Sequence, residues 1–244
     1  MDQSDLVRML RTPEAQEILW NLAVTDPDSY LALTGGHVDG QTRILSKTAI
    51  EDRLLLMHVD LVERSTDQAD PYNFCYGLLD IDNFGEVNTK FKWQTGDEVI
   101  AYVVRHIRDN LRIPGKGMPE QDRGHEQRKH SSLLSDTLGY AGRVGGGEEF
   151  GIILPNCGPR EAHAVIDRIL YSIRDGVPSS KHTGLQVTVS GGIAPYAAGM
   201  GVERLIAHTG NALGVAKRTG KDRALINVPD GILIGGNTQI YGQG

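Results

Sequence analysis

The chain has 244 residues, 39% of them hydrophobic, with 25 Lys and Arg against 31 Asp and Glu for a formal net charge of −6. That much apolar material fills the core of one large domain, and the acidic balance argues against a general nucleic-acid binder or a protein held on an anionic membrane surface. Cys75 and Cys157 lack metal-ligand spacing, no run approaches the roughly 20 apolar residues of a membrane span, and the start MDQSDLVRML lacks the order of a signal peptide. Buried reduced thiols, no zinc and a cytoplasmic location are the expectations.

Residues 4 to 24 read as a helix, with Thr12 as cap, Pro13 at the first helical position and Ile18, Leu19 and Leu22 on one side. It is a reasonable dimerisation element. With the turn-rich LTGGHVDGQTR it makes residues 1–47 an N-terminal extension and linker. Thr48 and Glu51 form a capping box ahead of a helix carrying Ile50, Leu54, Met57 and Leu61, which opens a main domain over residues 48–228. FCYGLLDID, bounded by turn residues, predicts a buried central strand. GDEVIAYVVRHIRDNLR follows with Val99, Ile100, Val103 and Ile107 on one helix face. From Ile113 to about Ser135 the Pro, Gly, His and alternating charges read as an exposed insertion. A plain loop is the default there, and a regulatory or partner surface is the alternative.

RVGGGEEFGIILP, Arg143 to Pro155, places three glycines and two glutamates before an apolar strand, a hairpin whose main chain can approach a ligand closely. Pro159 starts a helix with Ala162, Val165, Ile166, Ile169 and Ile173 on one face, stopped by Gly176 and Pro178. LQVTVSGGIAPY is strand-rich and breaks at Gly191. A helix ended by Gly220 and a last short strand follow, and residues 229–244 form a tail. The order β-α-β-β-α-β-α-β predicts an α/β (α+β) sandwich related to ferredoxin-like palms, a mainly antiparallel sheet with helices packed on one face.

Side chains alternate along a strand, so Asp80 and Asp82 are expected on one side of an exposed strand end, where they can collect a hard cation. Taken alone, that pair and the Glu148–Glu149 pair equally describe a solvated strand terminus and a hairpin tip. Their order along the chain, an apolar strand ending in DxD, a helix, a Gly-rich hairpin with two glutamates and a late helix ending in Lys217 and Lys221, supplies carboxylates for Mg²⁺ and cations for phosphate.

In that order the sequence resembles the GGDEF family of diguanylate cyclases, whose hairpin signature also occurs as GGEEF, here Gly146 to Phe150. LLDIDNFGEVN, TGDEVI, VTVSGGIA and NALGVAKRTGKDR match further family motifs, so the resemblance runs from about Thr48 to Val228 and implies the family's nucleotide-cyclase palm-like fold. It also implies that Asp80, the Ile81 carbonyl and Glu148 hold Mg²⁺, with Mn²⁺ as an alternative ion. Glu149 is implied as a further metal ligand or as the group assisting deprotonation of the attacking hydroxyl. Asn88 and Asp97 match the guanine readers, Lys217 a phosphate-binding lysine, and Lys221 a position often held by arginine; Phe84 joins the substrate-binding set. Both lysines equally suit the dipole at a helix C-terminus. The implied reaction joins two GTP into cyclic di-GMP with loss of two pyrophosphates, and one GTP per domain implies a homodimer, at least transient.

Four departures stand out. Gly85 occupies a position where the family usually has lysine, leaving Lys90, Lys92 or Arg143 to substitute for the missing phosphate contact. Lys92 and Trp93 replace the usual glycine-histidine pair, with Trp93 expected to pack against core and a place beside the base as the alternative. Gly145 adds a residue that lengthens or bulges the hairpin. DTLGYAGR offers no inhibitory RxxD product site. An active cyclase is the first reading. A catalytically weak GTP-binding regulatory domain and a cyclase making another cyclic dinucleotide are the alternatives, the last opposed by Asn88 and Asp97.

Overall fold

The structure, a computed structural model, describes residues 12, 18, 39–64, 72–111, 140–174, 176, 185–197, 199–228, 231–234 and 237–238. Apart from Thr12 and Ile18, the helix expected over residues 4–24 lies outside them, as does the insertion 113–135. Helix α1 spans Lys47–Arg64. Its capping residue is Ser46 rather than the expected Thr48: the Ala49 N–H donates to Ser46 Oγ at 3.4 Å and the Ile50 N–H to the Ser46 carbonyl at 3.1 Å. Residues 39–46, read from sequence as linker, pack onto the domain. Leu45 donates to the Ala141 carbonyl at 3.0 Å, and its own carbonyl accepts from the Arg143 N–H at 2.9 Å.

Strand β1 (Tyr72–Ile81) is followed by two helices where one was expected, α2 (Phe84–Phe91) and α3 (Trp93–Asn110). The break is Lys92, whose φ of 70° and ψ of 166° leave the helical region. Then come β2 (Tyr140–Gly145), β3 (Glu149–Pro155), α4 (Pro159–Ile173), β4 (Val189–Ala197), α5 (Val202–Arg218), β5 (Ala224–Val228), β6 (Gly231–Ile234) and β7 (Asn237–Thr238). Their sheet has the order β2-β3-β1-β4-β5-β6-β7. Neighbours are antiparallel except β4 and β5, which α5 joins as a parallel crossover. The last two strands lie in the stretch expected to be a tail and extend one sheet edge.

The central strands are apolar on both faces. Cys75, Leu79 and Ile81 of β1, with Phe150 and Ile152 of β3, face α3 and α4, whose Val99, Val103, Ile107, Ile166 and Ile169 close one core. Phe74, Tyr76, Ile153, Ala194 and Tyr196 face the other way, onto Ile50 and Leu54 of α1 and Leu205 of α5. Helices therefore cover both faces, correcting the one-face expectation, because strands buried on both sides need cover on both. Gly192 lets α5 lie tight on β4: a Cβ there would stand 2.2 Å from the Thr209 carbonyl oxygen and 2.3 Å from the Leu213 nitrogen. That close approach brings the end of α5 over the end of β1. No helix among the described residues is long and apolar enough to cross a membrane.

Candidate functional site

Sheet register gathers the acidic groups. Asp80, near the end of β1, stands opposite Glu149 on β3 and Ser190 on β4. Lys217, in the last turn of α5, places its Nζ 2.6 Å from Asp80 Oδ1. Burial raises the Asp80 carboxyl above the ordinary carboxylate range, more than the hydrogen bond and charge of Lys217 lower it, and the charge of Asp82 adds to the rise. Glu149 is also raised, first by burial and then by the charges of Asp80 and Glu148. Partly dry carboxylates in mutual repulsion where the central strand ends favour a cation.

The hairpin between β2 and β3 turns through Gly146 and Gly147, with φ of 41° and 94°. Arg143 pairs with Phe150 and Gly145 with Glu149, so Val144 is the extra residue of a bulge, as the additional glycine predicted. A Cβ on Gly145 would lie 2.0 Å from Glu149 Oε2, and one on Gly146 2.9 Å from Glu148 Oε2, so both glutamates fold over glycine main chain. Arg143 closes the loop, its Nε donating to the Gly147 carbonyl at 2.9 Å. The Ile81 N–H donates to the Glu148 carbonyl at 3.3 Å, which brings those two expected metal-site residues side by side.

Asp82 is a different kind of residue from the one expected. Strand β1 ends at Ile81, and the following turn aims Asp82 inward, where it is 4% exposed. It accepts from Thr188 Oγ1 at 2.8 Å, Ser190 Oγ at 2.7 Å and the Asp222 N–H at 3.1 Å. These bonds fasten the turn after α5 to the end of β1, and Asp82 is a fastening rather than a cation ligand. Lys221 in that turn has φ of 60° and donates to Asn83 Oδ1, a partner the sequence did not single out.

Asn88 of α2 lies across the helix break from Gly96, the residue before Asp97 of α3. Asn88 Oδ1 rests where a Cβ on Gly96 would be, 2.0 Å away, and among the described residues this oxygen is buried without a hydrogen-bond partner. Asp97 is exposed, and its Oδ1 accepts from Gln41 Nε2 at 2.6 Å. The Phe84 side chain belongs to the core, which leaves its main chain at the start of α2 as the part it could offer a ligand. Trp93, expected against the core, is 78% exposed: as the first residue of α3 after the left-handed Lys92, it is turned outward. Of the three cations named as substitutes at Gly85, Arg143 is engaged by Gly147 and Gln41, and Lys90 lies 5.1 Å over the Phe91 ring.

A divalent cation suits this donor set. Two side-chain carboxylates and the main chain of Ile81 and Glu148 supply hard oxygens where the central strand ends, and burial followed by the charges of Asp80 and Glu148 raises Glu149, a burden such an ion would relieve. Among the described residues no three His, Cys, Asp or Glu side chains surround one point at ligand distance. The set expected from the sequence, two carboxylates and a carbonyl, does not call for three.

An α/β sandwich whose central strand ends in acids, facing a glycine-rich acidic hairpin and a basic helix end, is the palm-like architecture expected from the sequence. Residues 130–223 match the family described as diguanylate cyclase, GGDEF domain. That match runs from ahead of β2 to the turn after α5. The chain is 32% identical over 152 residues to the uncharacterized protein YtrP of Bacillus subtilis, an alignment covering 62% of this chain and 21% of that one. It is 27% identical over 193 residues to the probable diguanylate cyclase DgcT of Escherichia coli, covering 78% and 35%. Diguanylate cyclase DgcP of Pseudomonas aeruginosa is 25% identical over 185 residues, covering 76% and 23%. The matched part of this chain thus spans from 21% to 35% of these relatives' lengths. Among solved structures, the GGDEF domain of DgcB from Caulobacter crescentus, crystallised with c-di-GMP, shares the fold with a TM-score of 0.62 at 24% identity, covering 79% of this chain and 96% of that one. Diguanylate cyclase SiaD of Pseudomonas aeruginosa, in complex with its activator SiaC, gives 0.63 at 23% identity, covering 90% and 73%.

Proposed function

We propose that this chain is a diguanylate cyclase domain that condenses two GTP into cyclic di-GMP and two pyrophosphates, with Mg²⁺ as the ion. The observation that carries the reading is the pairing of Asp80 with Glu149 across β1 and β3, with Lys217 Nζ 2.6 Å from Asp80. Asp80, Glu148 and the Ile81 carbonyl would hold the ion, which supplies charge neutralisation at the transferring phosphate when bound.

Each residue's part follows from its chemistry. Lys217 and Lys221 bind phosphate oxygens next to the first turn of α2. Asn88 and Asp97 take the donor edge of guanine, an edge adenine does not present, and the buried unpartnered Asn88 Oδ1 favours a ligand donor there. Glu149, held partly protonation-prone by burial and neighbours, suits acceptance of the 3′-hydroxyl proton. The hydroxyl oxygen forms a bond to the α-phosphorus, the bond from that phosphorus to the bridging oxygen breaks, and pyrophosphate leaves with its electron pair. Two such steps close the ring, and they require two domains facing each other, so a homodimer belongs to this reading.

Gly85, without the family's lysine, favours a second reading, a weakly active domain that binds GTP and regulates a partner. Incubating purified protein with Mg²⁺ and each nucleoside triphosphate, alone and mixed, and identifying products by chromatography and mass separates them. Cyclic di-GMP from GTP alone supports the cyclase. GTP binding without product supports the regulatory domain, and an adenine-containing product overturns the assignment of Asn88 and Asp97.

A further inference from the structure

We propose that Gln41 is a specificity-positioning residue: it fixes the Asp97 carboxylate for guanine and ties that carboxylate to the glycine-rich hairpin. The inference rests on the reading of Asp97 as a base reader and deepens it.

Both ends of the Gln41 amide are used. Its Oε1 accepts from Arg143 Nη1 at 2.7 Å while its Nε2 donates to Asp97 Oδ1 at 2.6 Å. A neutral amide offers an acceptor and donors on one group, so it can join a guanidinium to a carboxylate; neither an apolar nor an ionic side chain can do both. Arg143 is itself fixed, by the Gly147 carbonyl at 2.9 Å and by Asp39 Oδ2 at 3.5 Å. Asp39 in turn accepts from the Thr42 N–H at 2.8 Å and from Thr42 Oγ1 at 2.6 Å. The relay from Gly147 through Arg143 and Gln41 to Asp97 thus crosses three segments that are far apart in sequence: the hairpin, the turn before α1 and the first turns of α3.

The carboxylate keeps acceptor capacity for the base. Each carboxylate oxygen accepts two hydrogen bonds, so the Gln41 bond to Oδ1 leaves Oδ2 and a second position on Oδ1 for the N1 and N2 donors of guanine. An exposed aspartate without this contact would rotate freely and lose orientation entropy on engaging the base. Arg143 keeps its bonds to the Gly147 carbonyl and to Asp39 when the amide is lost, so the hairpin serves Gln41 as a fixed anchor.

The test compares binding of a non-hydrolysable GTP analogue and its adenine counterpart to wild type, Asp97→Ala, Gln41→Leu and Gln41→Glu, with thermal midpoints measured alongside. Wild type is expected to prefer guanine, Asp97→Ala to lose the preference, and Gln41→Leu to cut it about tenfold, the scale of one hydrogen bond to a charged group. Adenine affinity and the midpoint should hold in Gln41→Leu. Gln41→Glu, which keeps an acceptor for Arg143 but repels Asp97, should cut the preference at least as far, and it carries the test if the leucine variant does not fold. If Gln41→Leu and Gln41→Glu keep the wild-type preference while Asp97→Ala loses it, or lower both affinities equally, the proposal for Gln41 is overturned and the base-reading role stands. If wild type shows no preference, or Asp97→Ala keeps it, the base-reading role itself fails.

Discussion

Restoring a lysine at Gly85 measures how much the missing cation matters. A Cβ built on Gly85 meets nothing within 4 Å, and the residue is exposed in the first turn of α2, so Gly85→Lys requires no repacking. Lysine is better than glycine in a helix by about 0.5–1 kcal/mol, whereas a cation in the first turn opposes the helix dipole by about 0.3–1 kcal/mol. These nearly cancel, and a residual of about 0.5 kcal/mol shifts the midpoint of a domain this size by no more than about 2 °C. A charge-assisted hydrogen bond to phosphate contributes about 1.5–3 kcal/mol, which is roughly ten- to hundredfold in affinity. Titration calorimetry with a non-hydrolysable GTP analogue, with Gly85→Gln as the neutral control, reads the difference. Tighter binding in the lysine variant alone supports phosphates at the start of α2. Equal affinity in all three proteins refutes that placement.

The other perturbations separate charge, fastening and close packing. Asp80 and Glu149 are raised in the folded protein above their ordinary values of 3.8 and 4.5. Such carboxyls contribute stability that is complete below the ordinary value and lost as pH rises through the folded one. In chelator the thermal midpoint should therefore climb as pH falls from neutral into that window, while Asp39, held below 3.8 by Thr42 and Arg143 despite its burial, opposes only at lower pH. Glu149→Gln should flatten the climb, and identical slopes in the two proteins would exclude this account. Asp82→Ala strands the Thr188 and Ser190 hydroxyls and the Asp222 N–H; it should lower stability by about 3 kcal/mol or more, seen as a lower urea midpoint at unchanged slope. Gly192→Ala drives a Cβ into α5 main chain and should cost several kcal/mol, whereas Gly145→Ala meets only the tip of Glu149. The latter should spare the midpoint and depress turnover, and an equal loss of stability in both variants would contradict the difference.

Short-range periodicity made the elements legible, and the shortfalls occur where a local rule ends. The apolar residues of α3 and α4 fall on the faces their spacing predicts. Alternation likewise put Asp80 on the correct face of β1, but it was carried one turn too far. Once the chain leaves the strand at Ile81 and passes Asn83 at φ 57°, period two no longer says where Asp82 points. Lys92 hid the break between α2 and α3 because a left-handed position there is held by a residue that does not announce one. Trp93 was misjudged for the same reason, since an aromatic at a helix start faces wherever the preceding turn sends it. YNFCYGLLDI is apolar on both faces, a pattern that signals cover on both sides and that the helix faces alone do not carry. The joining of Gln41 to Asp97 has no sequence signal, because it depends on the turn before α1 folding back over the hairpin.

What the sequence separated into acids for a cation and lysines for phosphate, the fold joins as one set of mutual partners. Lys217 rests on Asp80 and Lys221 on Asn83, so each cation expected at a phosphate is engaged at the end of β1. A phosphate arriving alone would draw Lys217 away and leave Asp80 bare beside Glu149, two carboxyls already raised by burial and by each other. A cation arriving alone would leave Lys217, in the last turn of α5, without its counter-charge. A triphosphate arriving with its ion exchanges both partners at once: the carboxylates trade an ammonium for the ion, and the lysine trades a carboxylate for phosphate. Each exchange removes the cost of the other, so nucleotide and cation should reinforce each other's binding by the same factor. On the proposed reading, the Lys217–Asp80 contact marks the point where a nucleotide and its ion would exchange both partners together.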